Sequence, residues 1–151
     1  MAVIRLTKEF AFEAAHALDG YDGKCRHIHG HSYRLSVTVK GTPLADESDP
    51  KSGMTLDFGE LKRIVNEEIV DKLDHSLIVR RTDVSDDCWI EPLVQRFGNV
   101  VEVAYRPTCE NMLADFAARL CRRMPDGVSL HSLKMYETAT SCAEWYADDN
   151  R

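Results

Sequence analysis

Cys25-Arg26-His27-Ile28-His29-Gly30-His31 runs directly into Ser32-Tyr33-Arg34-Leu35-Ser36-Val37-Thr38-Val39-Lys40. The first part puts a thiol and three imidazoles into seven residues. The second part alternates: Tyr33, Leu35, Val37 and Val39 are set against Ser32, Arg34, Ser36 and Thr38, the period of a half-buried strand from His31 to about Lys40. His31 falls in phase with the apolar set. His29 stands two residues before it, so an extended backbone sends both imidazoles to one face. Gly30 between them takes little space and lets a ligand approach the backbone.

Upstream, residues 3 to 16 show the same period. Ile4, Leu6, Phe10, Phe12 and Ala14 take even positions, while Arg5, Thr7, Glu9 and Glu13 take odd ones. His16 continues the even, apolar face, and an imidazole at the end of a buried face needs a hydrogen bond or a metal. Asp19-Gly20-Tyr21-Asp22-Gly23 is turn chemistry within a loop over 17 to 30. If that loop joins the two strands antiparallel, His16 comes close to His29 and His31.

Downstream, residues 41 to 53 read as a loop. Asp57 is placed to cap a helix, with Glu60 three residues on. Phe58, Leu61, Ile64, Val65, Ile69 and Leu73 form its helical stripe, which Asp74-His75 close. Residues 76 to 107 are less regular, with a short helix expected over Asp86 to Phe97 and a short strand over Val100 to Tyr105. Thr108 caps a second firm helix that buries Met112, Phe116, Leu120 and Met124 and stops at Pro125-Asp126-Gly127. Two last strands are expected near 128–138 and 142–147. The order strand, strand, helix, helix, strand, strand predicts an α+β layer: an antiparallel four-stranded sheet with two main helices packed on one face. Neither a repeat nor a linker divides the 151 residues, so a single domain over 1–151 is expected.

Composition narrows the function classes. The net charge of −6 and the absence of a basic face argue against nucleic acid as the main partner. Lys24, Arg26 and Arg34 remain as local candidates to meet a small anion. No apolar run has the length of a signal peptide core or a membrane span, so no membrane partner is expected. Five scattered cysteines without an export signal read as reduced thiols, which places the protein in the cytoplasm.

The residues themselves suggest the chemistry. His16, His29 and His31 make a three-imidazole set suited to Zn2+ with its fourth position open, the arrangement of a catalytic rather than a structural zinc. Each imidazole taken alone also reads as a core histidine satisfied by a carbonyl; their common phase at converging strand ends favours the metal. Cys25 reads either as a small buried residue or as a thiol whose pKa a nearby cation lowers. Asp74-His75 reads as a helix end, where an imidazolium suits the dipole, or as a carboxylate that orients an imidazole for proton transfer. Glu137, in phase with Leu133 and Met135, points inward and needs donors. Glu110 reads as a favourable charge in a first helical turn.

Phe12-Glu13-Ala14-Ala15-His16, Cys25-x3-His29-Gly30-His31, Leu56-Asp57-Phe58, Leu73-Asp74-His75, Pro107-Thr108-x-Glu110-Asn111 and Tyr136-Glu137-Thr138 follow one another in that order. This series resembles the 6-pyruvoyl-tetrahydropterin synthase family over about residues 5 to 146. Within it, the series is most similar to the bacterial 6-carboxytetrahydropterin synthases of queuosine biosynthesis; residues 78 to 106 depart from their compact pattern. The resemblance implies a tunnelling fold whose sheets join into an oligomeric barrel, as a hexamer built from two trimers. It implies 7,8-dihydroneopterin triphosphate as substrate and zinc on His16, His29 and His31. It makes Cys25 the general base, with Asp74 and His75 completing the proton relay. Glu137 would anchor the pterin, with Thr108 and Glu110 nearby. The three-residue spacing between Cys25 and His29 looks like the carboxy branch. A pyruvoyl synthase that only eliminates triphosphate, and a non-catalytic zinc- or pterin-binding protein, are the alternatives.

Overall fold

A computed structural model describes residues 2–81 and 89–151. Strand β1 (Ile4–His16) pairs antiparallel with β2 (His29–Gly41) along its whole length, from Ile4↔Gly41 to His16↔His29. β2 begins two residues earlier than expected, so His29 lies inside the strand. The register puts Phe12 opposite Tyr33, Ala14 opposite His31 and His16 opposite His29, all on one face. Phe12, Ala14, His16, Tyr33, Leu35, Val37 and Val39 are buried there, whereas Arg5, Thr7, Glu9 and Glu13 face outward as the alternation requires. Gly30 is pressed by the protein itself: a Cβ at this position would meet the Ala14 carbonyl oxygen at 3.3 Å. The close approach is that of β1, not of a ligand.

Helix α1 (Phe58–Val65) starts at Asp57, whose carboxylate accepts from the Gly59 and Glu60 backbone N–H groups. The helix widens into a π segment, Asn66–Val70, and ends in one α turn, Asp71–Leu73. Leu61, Ile64, Val65, Ile69 and Leu73 are buried as the stripe predicts, but Phe58 is half exposed. Arg119 donates to the Glu68 carbonyl at 3.2 Å, giving a partner to a π-segment carbonyl.

Two strands enlarge the expected sheet. β3 (Ser76–Arg80) runs parallel to β1, and β4 (Val100–Val103) runs parallel to β3. Helix α2 (Ile90–Phe97) lies between them in sequence. The expected start of that helix at Asp86 lies outside the described residues. Helix α3 (Cys109–Cys121), capped by the Thr108 hydroxyl on the Asn111 N–H, buries Met112, Phe116 and Leu120. β5 (Val128–Tyr136) and β6 (Cys142–Tyr146) complete the sheet on the far side of β2.

The fold is α+β as expected, but among the described residues the sheet has six strands in the order β4-β3-β1-β2-β5-β6 and is mixed, not four-stranded and antiparallel. The reason is local. Ser76-Leu-Ile-Val-Arg is too short for its period to distinguish a strand from a continuing helix, and only its contact with β1 decides. Phe12 stacks on Tyr33 with ring centroids 5.0 Å apart and meets Phe116 of α3 edge-on at 6.3 Å. These rings pack the core directly behind the histidine ends of β1 and β2.

Candidate metal centre and active site

His16, His29 and His31 converge as the strand phase predicts. One ring nitrogen from each lies within 4.8 Å of the others. His16 Nδ1 donates to the Pro107 carbonyl at 2.7 Å, and His29 Nδ1 donates to the His27 carbonyl at 2.7 Å. A carbonyl only accepts, so both rings carry their proton on Nδ1 and turn an Nε2 lone pair inward. The two Nε2 atoms stand 3.1 Å apart, and two lone pairs at that distance repel unless a cation lies against both. Zn–N bonds of about 2.0–2.1 Å in a tetrahedron put ligand nitrogens roughly 3.3 Å apart. His31 Nε2 is buried without a hydrogen-bond partner. Burial pushes the His16 imidazole below its ordinary value, against the pull of Pro107 and Glu137, and so favours the neutral form that a metal requires. The three residues fit a bound metal, with outer-shell carbonyls that fix the ring orientation.

Glu137 lies just past the end of β5, half-buried, and keeps the inward phase of Leu133 and Met135. Its carboxylate stands 3.7 Å from His16 Nε2 and 3.8 Å from His31 Nε2. Tyr33, fully buried in the next inward position after His31, has its hydroxyl 3.5 Å from His16 Nδ1. Burial and the carboxylate together hold the phenol far above its usual range. Tyr33 and the Pro107 and His27 carbonyls are therefore parts of the centre that the sequence reading passed over. For Tyr33 the signal was present in its phase with His31. For the two carbonyls no sequence signal exists, because a backbone oxygen has no residue identity.

The remaining candidates are placed differently. Cys25 is exposed in the short 3-10 turn Lys24–Arg26 between β1 and β2, with its carbonyl accepting from Leu18 N–H. Thr108 spends its hydroxyl on the α3 cap, and Glu110 is exposed in the first turn of that helix. Arg34 lies on the outer face, its guanidinium 4.9 Å from the Tyr136 ring centroid. Within one chain it faces away from the imidazoles.

Asp74 and His75 form a pair, as read from the sequence: His75 Nδ1 stands 2.9 Å from Asp74 Oδ2. Asp74 Oδ1 accepts from the Glu13 backbone N–H at 2.8 Å. That hydrogen bond first, then His75, holds the Asp74 carboxyl below the usual carboxylate range. The exposed imidazole of His75 shares an opening with Glu13, Ala14, Ala15, Gly30, His31 and Ser32. The three-imidazole group lies on the inner face. Among the described residues, the pair makes no hydrogen bond or ion pair with the three imidazoles of its own chain.

The family model for 6-pyruvoyl tetrahydropterin synthase matches residues 5–148. A 6-carboxy-5,6,7,8-tetrahydropterin synthase of Haemophilus influenzae is 35% identical, with 95% of this chain and 99% of that protein aligned. Its counterpart from Synechocystis is 34% identical over 93% of this chain and 91% of its own length. Among solved structures, an uncharacterized protein from Wolinella succinogenes superposes with a TM-score of 0.72 at 23% identity, covering 97% of this chain and 99% of that one. The 6-pyruvoyl tetrahydropterin synthase of Caenorhabditis elegans superposes with a TM-score of 0.68 at 23% identity, covering 97% of each chain. These two likenesses carry the fold. The match along nearly the whole sequence, on the strands and turns that build this centre, shows that the chain belongs to the 6-pyruvoyl tetrahydropterin synthase family.

Proposed function

We propose that this protein is a 6-carboxy-5,6,7,8-tetrahydropterin synthase. It would be a lyase that converts 7,8-dihydroneopterin triphosphate to the 6-carboxy pterin, acetaldehyde and triphosphate in queuosine biosynthesis. The observation that carries this reading is full-length similarity to relatives of that name, combined with three inward Nε2 atoms and a carboxylate beside them.

His16, His29 and His31 would hold zinc through Nε2. Zinc, when bound, supplies a Lewis acid that acidifies the carbon–hydrogen bonds next to substrate hydroxyls. Glu137 presents two oxygens to the paired N–H groups of a pterin edge. Thr108 and Glu110, at the start of α3, would border the pterin. Cys25 acts as thiolate base on the substrate side chain. Asp74 keeps the Nδ1 side of His75 occupied, which leaves Nε2 to exchange a proton with substrate.

Among the described residues, Asp74 and His75 make no hydrogen bond or ion pair with the imidazoles of their own chain. This supports a homo-oligomer in which the pair serves a neighbouring copy's site, consistent with a hexamer of two trimers. Among the described residues, no helix is long and apolar enough to cross a membrane, and a cytoplasmic location is part of this reading.

Incubation of zinc-loaded protein with 7,8-dihydroneopterin triphosphate, followed by mass analysis, tests the function. Acetaldehyde with 6-carboxytetrahydropterin is the expected outcome. A pyruvoyl pterin without acetaldehyde would reassign the protein to the pyruvoyl branch. Zinc binding with no product would leave a non-catalytic binding protein.

A further inference from the structure

We infer that Asn99 is a positioning residue, which fixes the Asp74–His75 turn in the conformation that presents the His75 imidazole. The inference rests on the reading of Asp74 and His75 as the proton-transfer pair.

The backbone at this pair is unusual. Asp74 has φ −62° and ψ 129°, and His75 follows with φ 58°. An extended residue followed by one in the left-handed region is the pattern of a type II turn, whose second central position favours glycine or asparagine. Histidine is the one non-glycine residue with positive φ among those described. A Cβ in this region is sterically unfavourable, and the conformation persists where the surroundings over-determine it.

Four sets of contacts hold the turn. The Ser76 hydroxyl donates to the Leu73 carbonyl at 2.6 Å and closes the turn from its ends. The His75 N–H donates to the Glu13 carbonyl at 2.6 Å, and the Glu13 N–H donates to Asp74 Oδ1 at 2.8 Å, which ties the pair to β1. The Asn99 side-chain amide then donates to both carbonyls of the pair, Asp74 and His75, at 3.3 Å each. Those two carbonyls belong to the peptide planes on either side of the His75 Cα. A group that holds both therefore limits the dihedral angles that aim the imidazole.

Asn99 is itself anchored. Its carbonyl accepts from the Leu77 N–H at 3.0 Å, and it follows Gly98, which ends α2 with φ 81°. The segment that departs from the compact family pattern thus supplies a clamp for the pair. The chemistry required is a double donor, since both partners are carbonyls. Aspartate has the same shape and no donor.

The experiment measures kinetics on the full-length, metal-loaded protein. Asn99→Ala is expected to lower kcat by about tenfold with KM within about twofold and metal content unchanged, the pattern of a misaimed catalytic group. Asn99→Asp is expected to fall at least as far, although it preserves the shape. In the His75→Ala background, Asn99→Ala should have no further effect. Exchange of the His75 backbone N–H, read by hydrogen–deuterium exchange, should quicken in Asn99→Ala without a comparable change in α3. Full activity in Asn99→Asp, or an independent loss on top of His75→Ala, would overturn the inference. An inert His75→Ala would instead remove the role of the pair itself, and the inference with it.

Discussion

His16 Nε2 and His29 Nε2 face each other at 3.1 Å while a backbone carbonyl occupies the Nδ1 of each ring. The carbonyls decide the tautomers, and the tautomers leave two lone pairs pointed at one place. A third nitrogen, His31 Nε2, is buried there with no partner. The arrangement is repulsive when empty and favourable around a cation, so the metal would contribute to holding these strand ends together.

His29→Ala should therefore lower metal affinity by more than roughly 100-fold, beyond the 10–100-fold typical of losing an outer partner. Zinc stoichiometry after dialysis, with circular dichroism as the control for folding, measures this. Metal retained at one per chain would remove His29 from the ligand set.

Cys25 lies outside the three-imidazole group, exposed on its own turn. Cys25→Ala should keep the metal and the fold and reduce turnover by about 100-fold or more, as expected for loss of a general base. A drop in zinc content parallel to the loss of activity would make Cys25 a ligand instead.

Glu137→Gln keeps the shape but replaces one acceptor oxygen by a donor. The pterin edge then meets an N–H where it needs an acceptor. Binding of the pterin should weaken by about tenfold or more, with metal content preserved, as seen in a titration with a non-reactive pterin.

Asp74 gives a pH signature. Its folded-state pKa lies below the ordinary carboxylate value because the Glu13 N–H and His75 favour the ionised form. Its contribution is present above about pH 4 and fades as pH falls through the folded value. In Asp74→Asn the side chain does not titrate, so its melting temperature should depend less on pH between about 5 and 3 than that of the parent. Equal slopes in scanning calorimetry would show that the carboxylate is unlinked to folding.

Thr108 separates two roles. As the α3 cap, its loss in Thr108→Ala should cost about 1 kcal/mol in denaturant unfolding, and Thr108→Ser should restore most of it. A change in KM in Thr108→Ser, where the cap is intact, would reveal a direct contact with substrate.

Much of the site was legible because it depends on short-range geometry. The Asp57 and Thr108 caps, the inward phase of Glu137 and the pairing of Asp74 with His75 all follow from neighbours within a few residues. β3 and the mixed sheet were not legible: Ser76 to Arg80 joins β1 through pairs such as Ala14↔Ser76, far apart in the chain. The buried Tyr33 hydroxyl was hidden behind the apolar reading of its strand, since the ring satisfies the pattern while the oxygen lies 3.5 Å from His16 Nδ1.

The sequence by itself determined that His16, His29 and His31 would share one face. In a strand the direction of a side chain follows from its parity, and the turn between the strands sets their register. Only the tertiary structure decided which nitrogen of each ring would face inward. His16 receives its tautomer from the Pro107 carbonyl, 91 residues away, which the packing of α3 behind Phe12 brings into place. Only the tertiary structure, too, tied Asp74 and His75 to β1, through the Glu13 backbone N–H and carbonyl. Parity is a property of consecutive bonds; the partner of a buried polar atom is a property of the whole packed chain.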